Sequence, residues 1–334
     1  MSIVSPECDQ KTAPQTGKMK NKMSLERIGL LISLVLLIIT FSMISPYFLT
    51  LDNFSNMLLS LSLIGIVSAG MTIAIVSGGM DMSVGSNMAL VGVIVGSMLH
   101  SGMSQWLSIT AGLFIGLLIG ACNGFFIAKI KINPLITTLA TMIIVRGIAF
   151  LYSNGLSFGI YGTKPEFPDF GYWGRGILFG IPVPVILMIL VIGVVYIVLT
   201  KTIFGREIYS LGGNSEAARV CGINVERNTI VVYLIMGVLA AFAGIILASR
   251  LTAGVPSAGT GYELNAISCV VLGGASLMGG QGRVEDTVLA VLVLGVLGNG
   301  FVLLGLSSFL QDVARGVILL LSVGIDQMRQ RRAA

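Results

Sequence analysis

Ionisable side chains are scarce in the long apolar stretches of this sequence, so the few present mark where chemistry could occur. They are Asp81, Arg146, Asp312 and Arg315, and burying a charge without a partner is costly enough to make each a functional candidate. Asp312 and Arg315 stand three apart on a helix and are expected to pair. Arg146 can either snorkel to the interface or face a pore. Asp81 can cap a helix start or join a polar path. A proton- or sodium-coupled carrier needs carboxylates facing a midplane cavity, and beside Asp81 only the paired Asp312 is expected there. The sequence holds no HExxH, no GxSxG and no intramembrane aspartate pair for hydrolysis, and no GxxxxGK[ST] for nucleotide phosphates. Uphill movement of a solute would therefore draw energy from another subunit. The single His100 and the scattered Cys8, Cys122, Cys221 and Cys269 make no metal site, triad or disulfide framework.

Neutral polar groups are more plentiful. Asn87, Asn123, Asn265 and Asn299 lie in or beside apolar stretches, and amides both donate and accept hydrogen bonds. Such a lining suits a neutral, hydroxyl-rich solute better than an ion. Glycine numbers 43 of 334 residues, well above the usual share of roughly 7%. Many of these glycines fall where helices could approach closely. Two clusters are denser: Ser77-Gly78-Gly79-Met80-Asp81-Met82-Ser83-Val84-Gly85 and Leu272-Gly273-Gly274-Ala275-Ser276-Leu277-Met278-Gly279-Gly280-Gln281-Gly282. They are either broken helices whose freed backbone lines a cavity or tight turns at the cytoplasmic surface. Gly78, Gly79, Gly273 and Gly274 therefore join Asp81 and the four asparagines as candidates for a translocation path.

The elements that must position these residues follow from composition. Hydrophobic residues make up 55% of the chain and charged residues only 10%, against about 25% charged in a soluble domain. Apolar runs long enough to cross a bilayer are expected at 28–45, 57–77, 82–99, 106–128, 133–152, 182–200, 230–249, 264–280, 287–305 and 308–325. The fold expected is all-α, a polytopic transmembrane helix bundle of about ten spans. It comprises a basic tail (1–27), one transmembrane domain (28–325) and a second basic tail (326–334). Fifteen Lys and Arg residues fall on the side of the N-terminus and only Lys164, Arg175 and Arg250 on the other, which places both termini in the cytoplasm. The connection at about 153–181 is rich in Gly, Pro and aromatics and is expected over the outer mouth. The one at about 201–229 is the most polar internal stretch. In it, Asn214 or Ser215 can cap a short helix carrying Glu216, and Gly222 can end it.

The segment from Leu211 to Val225, with Glu216-Ala217-Ala218 followed after three residues by Gly222, resembles the EAA loop of ABC-importer membrane subunits. Three further stretches, Ser77 to Gly85, Gly259-Thr260-Gly261-Tyr262-Glu263-Leu264-Asn265-Ala266 and Val271 to Gly282, are similar to those of the ribose/galactose/autoinducer-2 branch of carbohydrate permeases. The likeness runs in order over nearly the whole chain past about residue 27. The Ile-x-Leu-Pro that follows the EAA glycine in other importer classes is absent, as fits this branch. The resemblance implies a permease subunit of an ATP-driven importer in the bacterial inner membrane, carrying a ribose-like monosaccharide. It implies a second permease copy, a periplasmic sugar-binding protein and a cytoplasmic ABC ATPase that binds ATP and Mg. The chain itself would be no enzyme, hold no cofactor and meet lipid rather than nucleic acid. ATPase coupling would fall to Asn214, Glu216, Ala217, Ala218, Arg219 and Gly222. Lys164, Arg175, Arg250 and Glu263, nearly all the expected outer charges, would dock the binding protein. The reading kept beside this one is an ion-coupled secondary carrier of a small neutral solute.

Overall fold

The computed structural model describes residues 25–160 and 168–333. Among them the helices are α1 (Leu25–Ile44), α2 (Leu51–Val76), α3 (Val84–His100), α4 (Gln105–Ala128), α5 (Pro134–Ser153), a short α6 (Tyr172–Arg175), α7 (Val183–Lys201), α8 (Ile203–Gly213), α9 (Ser215–Val220), α10 (Val225–Leu251), α11 (Tyr262–Leu272), α12 (Val284–Leu303) and α13 (Ser308–Ala333). Two small antiparallel ribbons accompany them: β1 (Phe158–Gly159) with β4 (Ala253–Gly254), and β2 (Ile177–Leu178) with β3 (Ile181–Pro182). Helices α1, α2, α4, α5, α7, α10 and α12 are long and apolar enough to cross a bilayer. Their outward faces are apolar too. Ile32, Leu36, Ile143, Ile144, Ile189 and Leu190 are all more than half exposed, which water would not tolerate over so wide a surface.

Local chemistry sets the helix ends. Thr50, Ser104, Asn133 and Asn224 each cap a start by accepting an amide N–H of the first turn, which removes an orphan donor. Helices α5 and α10 end on left-handed Asn154 and Thr252. Packing within the bundle depends on small residues rather than on water expulsion. α4 carries Gly112, Gly116, Gly120 and Gly124 on one face. A Cβ on Gly116 would lie 2.3 Å from the Ala241 Cβ, and one on Gly120 would lie 2.3 Å from the Tyr233 carbonyl oxygen. α10 is thus clasped backbone to backbone by α4, while its Gly244 meets Met88 of α3 on another side.

Both glycine clusters are non-helical backbone packed into the bundle. α2 and α11 end alike: Gly78 and Gly274 both have φ +85°, and the next residue's N–H returns to a carbonyl five positions back, Gly79 to Ala74 and Ala275 to Val270. This is the left-handed closure that glycine favours. The chain after Gly78 then re-enters the interior, where Asp81 and Ser83 are 2% and 1% exposed. The span expected at 264–280 needs correction. Its helix stops at Leu272, and left-handed Gly274, Gly279 and Gly280 turn the chain instead. The polar connection at 201–229 holds two helices, α8 and α9, rather than one. The longer connection at the other end is anchored by buried Phe170, whose carbonyl accepts from Ser249 Oγ at 2.6 Å.

Candidate functional site

After α10 the chain turns back into the bundle as non-helical backbone, strand β4 followed by turns at 256–261. Gly254 lies against Gly92 and Val93 of α3, and Gly259 lies against Gly85 at the start of the same helix. Between these two contacts the segment descends past some two turns of α3, about 11 Å, before α11 begins. Arg146 of α5 holds it, Nη1 donating to the Pro256 carbonyl at 2.9 Å and the Ala258 carbonyl at 2.6 Å. Arg146 is thus a partly buried tie within the bundle, not a snorkelling side chain. Glu263, expected as an outer docking charge, is carried inward on α11 and is 8% exposed. Its Oε1 accepts from Gly261 N–H at 3.2 Å, and its Oε2 is buried with no hydrogen bond among the described residues. The physical reason is the re-entrant path, which shortens α11 and draws its first turn into the protein.

α11 forms one wall of a cavity of about 390 Å³ shared with α2, α12 and α13. Its polar lining is Asn53, Asn56, Ser60, Asn265, Asn299 and Gln311, with apolar Met57, Leu61, Ile64, Cys269, Val291 and Leu294 between them. Among the described residues no Asp, Glu, Lys, Arg or His lines it. Asn53 and Asn299 exchange two amide hydrogen bonds, at 3.0 and 2.8 Å. The amides of Asn56 and Asn265 make none among the described residues, which leaves donors and acceptors free for a solute. Of the path candidates, Asn265 and Asn299 are brought together here. Sequence reasoning missed Asn53, Asn56 and Ser60, although their spacing of three and four residues is one helical face; the expected span began at 57, just past two of them. At the rim, Arg250 donates to the Leu59 carbonyl at 3.3 Å and to Ser60 Oγ at 3.1 Å. It ties the end of α10 to α2 and stays partly exposed. Arg175 is exposed, and Lys164 lies outside the described residues.

The other path candidates lie outside this cavity. Asn87 Nδ2 donates to the Gly237 carbonyl of α10 at 3.1 Å. Asn123 belongs to a buried chain in which Thr141 Oγ1 donates to Asn123 Oδ1 at 2.6 Å, Asn123 Nδ2 to Ser83 Oγ at 3.0 Å, and Ser83 Oγ to Asp81 Oδ1 at 2.6 Å. Asp81 also accepts the Ser83 N–H at 2.8 Å, just ahead of α3. Gly273 stands against the Thr287 and Asp286 backbone of α12. The expected pairing of Asp312 with Arg315 falls on a side chain outside those described.

At the α8–α9 end, Asn214 Oδ1 caps α9 by accepting from the Glu216 and Ala217 amides at 3.1 and 3.0 Å. Gly222 closes it with φ +85° in open space, and the Ile223 N–H returns to the Ala218 carbonyl at 3.0 Å. Ala218 is buried, while Glu216, Ala217, Arg219 and Val220 face outward, Val220 at 88% exposure. Val220 was not singled out from the sequence; an apolar residue on so polar a helix was the available signal. α8 seats this unit on the glycine turns. Gly212 lies between Val76 and Gly280, the Gly280 N–H reaches the Val76 carbonyl at 2.9 Å, and Tyr209 donates to the Gly282 carbonyl at 2.8 Å. Burial pushes the Tyr209 phenol above its ordinary pKa, helped by the nearby Glu285 carboxylate, so it remains a donor. Among the described residues no group of His, Cys, Asp and Glu could hold a metal.

Comparison with known proteins fits this geometry. The family described as "Branched-chain amino acid transport system / permease component" matches residues 53–323. The ribose import permease protein RbsC of Bacillus subtilis is 43% identical over 91% of this chain and 94% of its own length. That of Escherichia coli K12 is 42% identical over 90% and 93%, and the L-arabinose transport system permease protein AraH of the same strain 42% over 95% and 96%. No solved structure matches the chain.

Proposed function

We propose, from the premise that this chain belongs to the branched-chain amino acid transport system permease family, that it forms the membrane path for a ribose-like monosaccharide. It is a transport subunit of a sugar ABC importer and not an enzyme; ATP and Mg belong to the separate ATPase. The observation that carries the cargo class is the cavity lining. Two amides with no hydrogen-bond partner among the described residues, a paired amide couple, a glutamine and a serine face about 390 Å³ with no charge among them. Such groups match the hydroxyls of a neutral sugar and give a cation no carboxylate to coordinate.

The coupling follows from how α9 is mounted. ATPase subunits grip the outward face of α9 at Ala217, Val220 and the Glu216–Arg219 pair, and α8 passes their motion to the glycine turns. Those turns end α2 and α11, two walls of the cavity, so a push at α9 moves both. Closure of the ATPases on ATP rocks two permease copies and alternates access, with the differential affinity of ATP for the closed state as the energy source. Ten spans with both termini in the cytoplasm of a bacterial inner membrane accommodate this arrangement and the basic asymmetry. A sugar-binding protein docks at the opposite end, where Arg175 is exposed. The second copy is the same chain or a paired permease.

The test is substitution in the cavity. Asn265→Leu and Asn56→Leu keep volume similar while removing hydrogen-bonding groups. Both are expected to lower sugar uptake at least about tenfold, the worth of an unmatched buried polar group on the sugar, with ATPase co-purification unchanged. Normal uptake by both would remove the cavity from the path.

A further inference from the structure

We infer that Arg146 is a positioning residue for the cavity wall: its guanidinium fixes the depth of the non-helical segment at 253–261, and with it where α11 starts and where Asn265 faces. The segment is pinned at its outer end by the β1–β4 ribbon. Between residues 255 and 260 its other hydrogen bonds among the described residues are local, Ala258 N–H to the Val255 carbonyl, Thr260 Oγ1 to the Ser257 carbonyl and Tyr262 N–H to the Gly259 carbonyl. The two bonds from Arg146 are the ones that reach across to another helix. Non-helical chain inside a bundle leaves carbonyls that water cannot satisfy, and a charged donor answers two of them at once. The Glu263 carboxylate attracts the same guanidinium, so opposite charges flank the start of α11 and offset each other's burial.

α5 joins two parts of the site. Five residues before Arg146, Thr141 holds the Asn123–Ser83–Asp81 chain that braces the first glycine turn. One helix therefore sets the position of α3 through Thr141 and of α11 through Arg146. Gly85 has no room to yield between them: a Cβ there would stand 2.2 Å from the Gly259 carbonyl oxygen and 2.3 Å from Glu263 Oε2. If Arg146 releases the segment, α11 loses its fixed start, and Asn265 and Cys269, one helical turn apart on its cavity face, move with it.

Cys269 reports this directly, since it lines the cavity and is 1% exposed. The experiment uses the full chain in membranes with its ATPase, Cys8, Cys122 and Cys221 replaced by Ser, and a small charged methanethiosulfonate reagent. Arg146→Leu is expected to speed Cys269 labelling by about tenfold or more, as loss of a charge-assisted hydrogen bond implies. Arg146→Lys should stay nearer the parent. Both existing bonds come from one nitrogen, which an ammonium can imitate from a side chain one atom shorter. Parent and Leu variants labelling equally fast would overturn the inference. So would Leu and Lys variants labelling equally fast, because lost side-chain volume and not lost donation would then be the cause. The cavity reading gives the inference its functional meaning, but labelling does not depend on transport. Faster Cys269 labelling in a variant whose sugar uptake is unchanged would keep the positioning role and remove the cavity from the transport path.

Discussion

Gly212 and Gly213 are neighbours at the end of α8, and the structure assigns them opposite tolerance to a methyl group. At Gly212 an added Cβ would sit 1.9 Å from the Val76 carbonyl oxygen and 2.5 Å from the Gly280 amide nitrogen. Both contacts are backbone, so no side chain can swing aside, and α8 must move by about 1 Å. Such overpacking costs about 1–3 kcal/mol. Wedging these strands apart also strains the Gly280 N–H bond to the Val76 carbonyl, at 2.9 Å, worth about 0.5–1.5 kcal/mol. Gly212→Ala is therefore expected to destabilise the purified permease by about 2–4 kcal/mol, with sugar moved per ATP hydrolysed falling as well because α8 no longer seats on the turns. At Gly213 nothing lies within 4 Å of the added Cβ, and alanine gains up to about 1 kcal/mol of helix propensity. Thermal unfolding in detergent and coupled uptake in proteoliposomes measure both variants. Equal melting temperatures and equal coupling for the two would refute the seating of α8 on the glycine turns.

Gly222→Val, forced into a left-handed conformation, and Glu216→Lys, which reverses the exposed pair with Arg219, should each leave the protein inserted but weaken ATPase co-purification or uncouple hydrolysis from uptake; normal binding and transport by both would remove α9 from the coupling contact. Single cysteines at 216 and at 175 should be labelled in intact cells from opposite sides, the former only by a membrane-permeant reagent, and external labelling at 216 would invert the topology. Lys129 and Glu226 form an exposed ion pair at 2.5 Å, so Lys129→Met is expected to leave the thermal unfolding temperature close to that of the parent; a marked drop would mean that the tie between α4 and α10 is understated by exposure.

Much of the bundle was legible because apolar length in lipid has few solutions: nine of the ten expected segments fall on single helices, and seven of those helices are long and apolar enough to cross a bilayer. The caps at Asn214 and Gly222 were legible for the same local reason: one side-chain acceptor and one left-handed residue suffice to bound a short helix. The early end of α11 was not. Residues 273–280 are apolar enough to continue a span, and the break lies in backbone angles that Gly274, Gly279 and Gly280 permit but do not announce. Arg146 and Glu263 could not be placed because their partner, the segment at 253–261, has no periodicity of its own; its path is set by the groove that Gly85, Gly92 and Gly96 leave along α3. Asn56 was lost to a boundary: α2 extends six residues further toward its start than apolarity alone suggested, carrying the polar face that lines the cavity.

The most direct test of the account is uptake by purified components. The permease, its ATPase and the sugar-binding protein are reconstituted in proteoliposomes, and entry of radiolabelled ribose is followed with arabinose as competitor. The account predicts accumulation that requires ATP and the binding protein, stops with vanadate, and persists when proton and sodium gradients are collapsed. Uptake by the permease alone, driven by an ion gradient and indifferent to ATP, would contradict it.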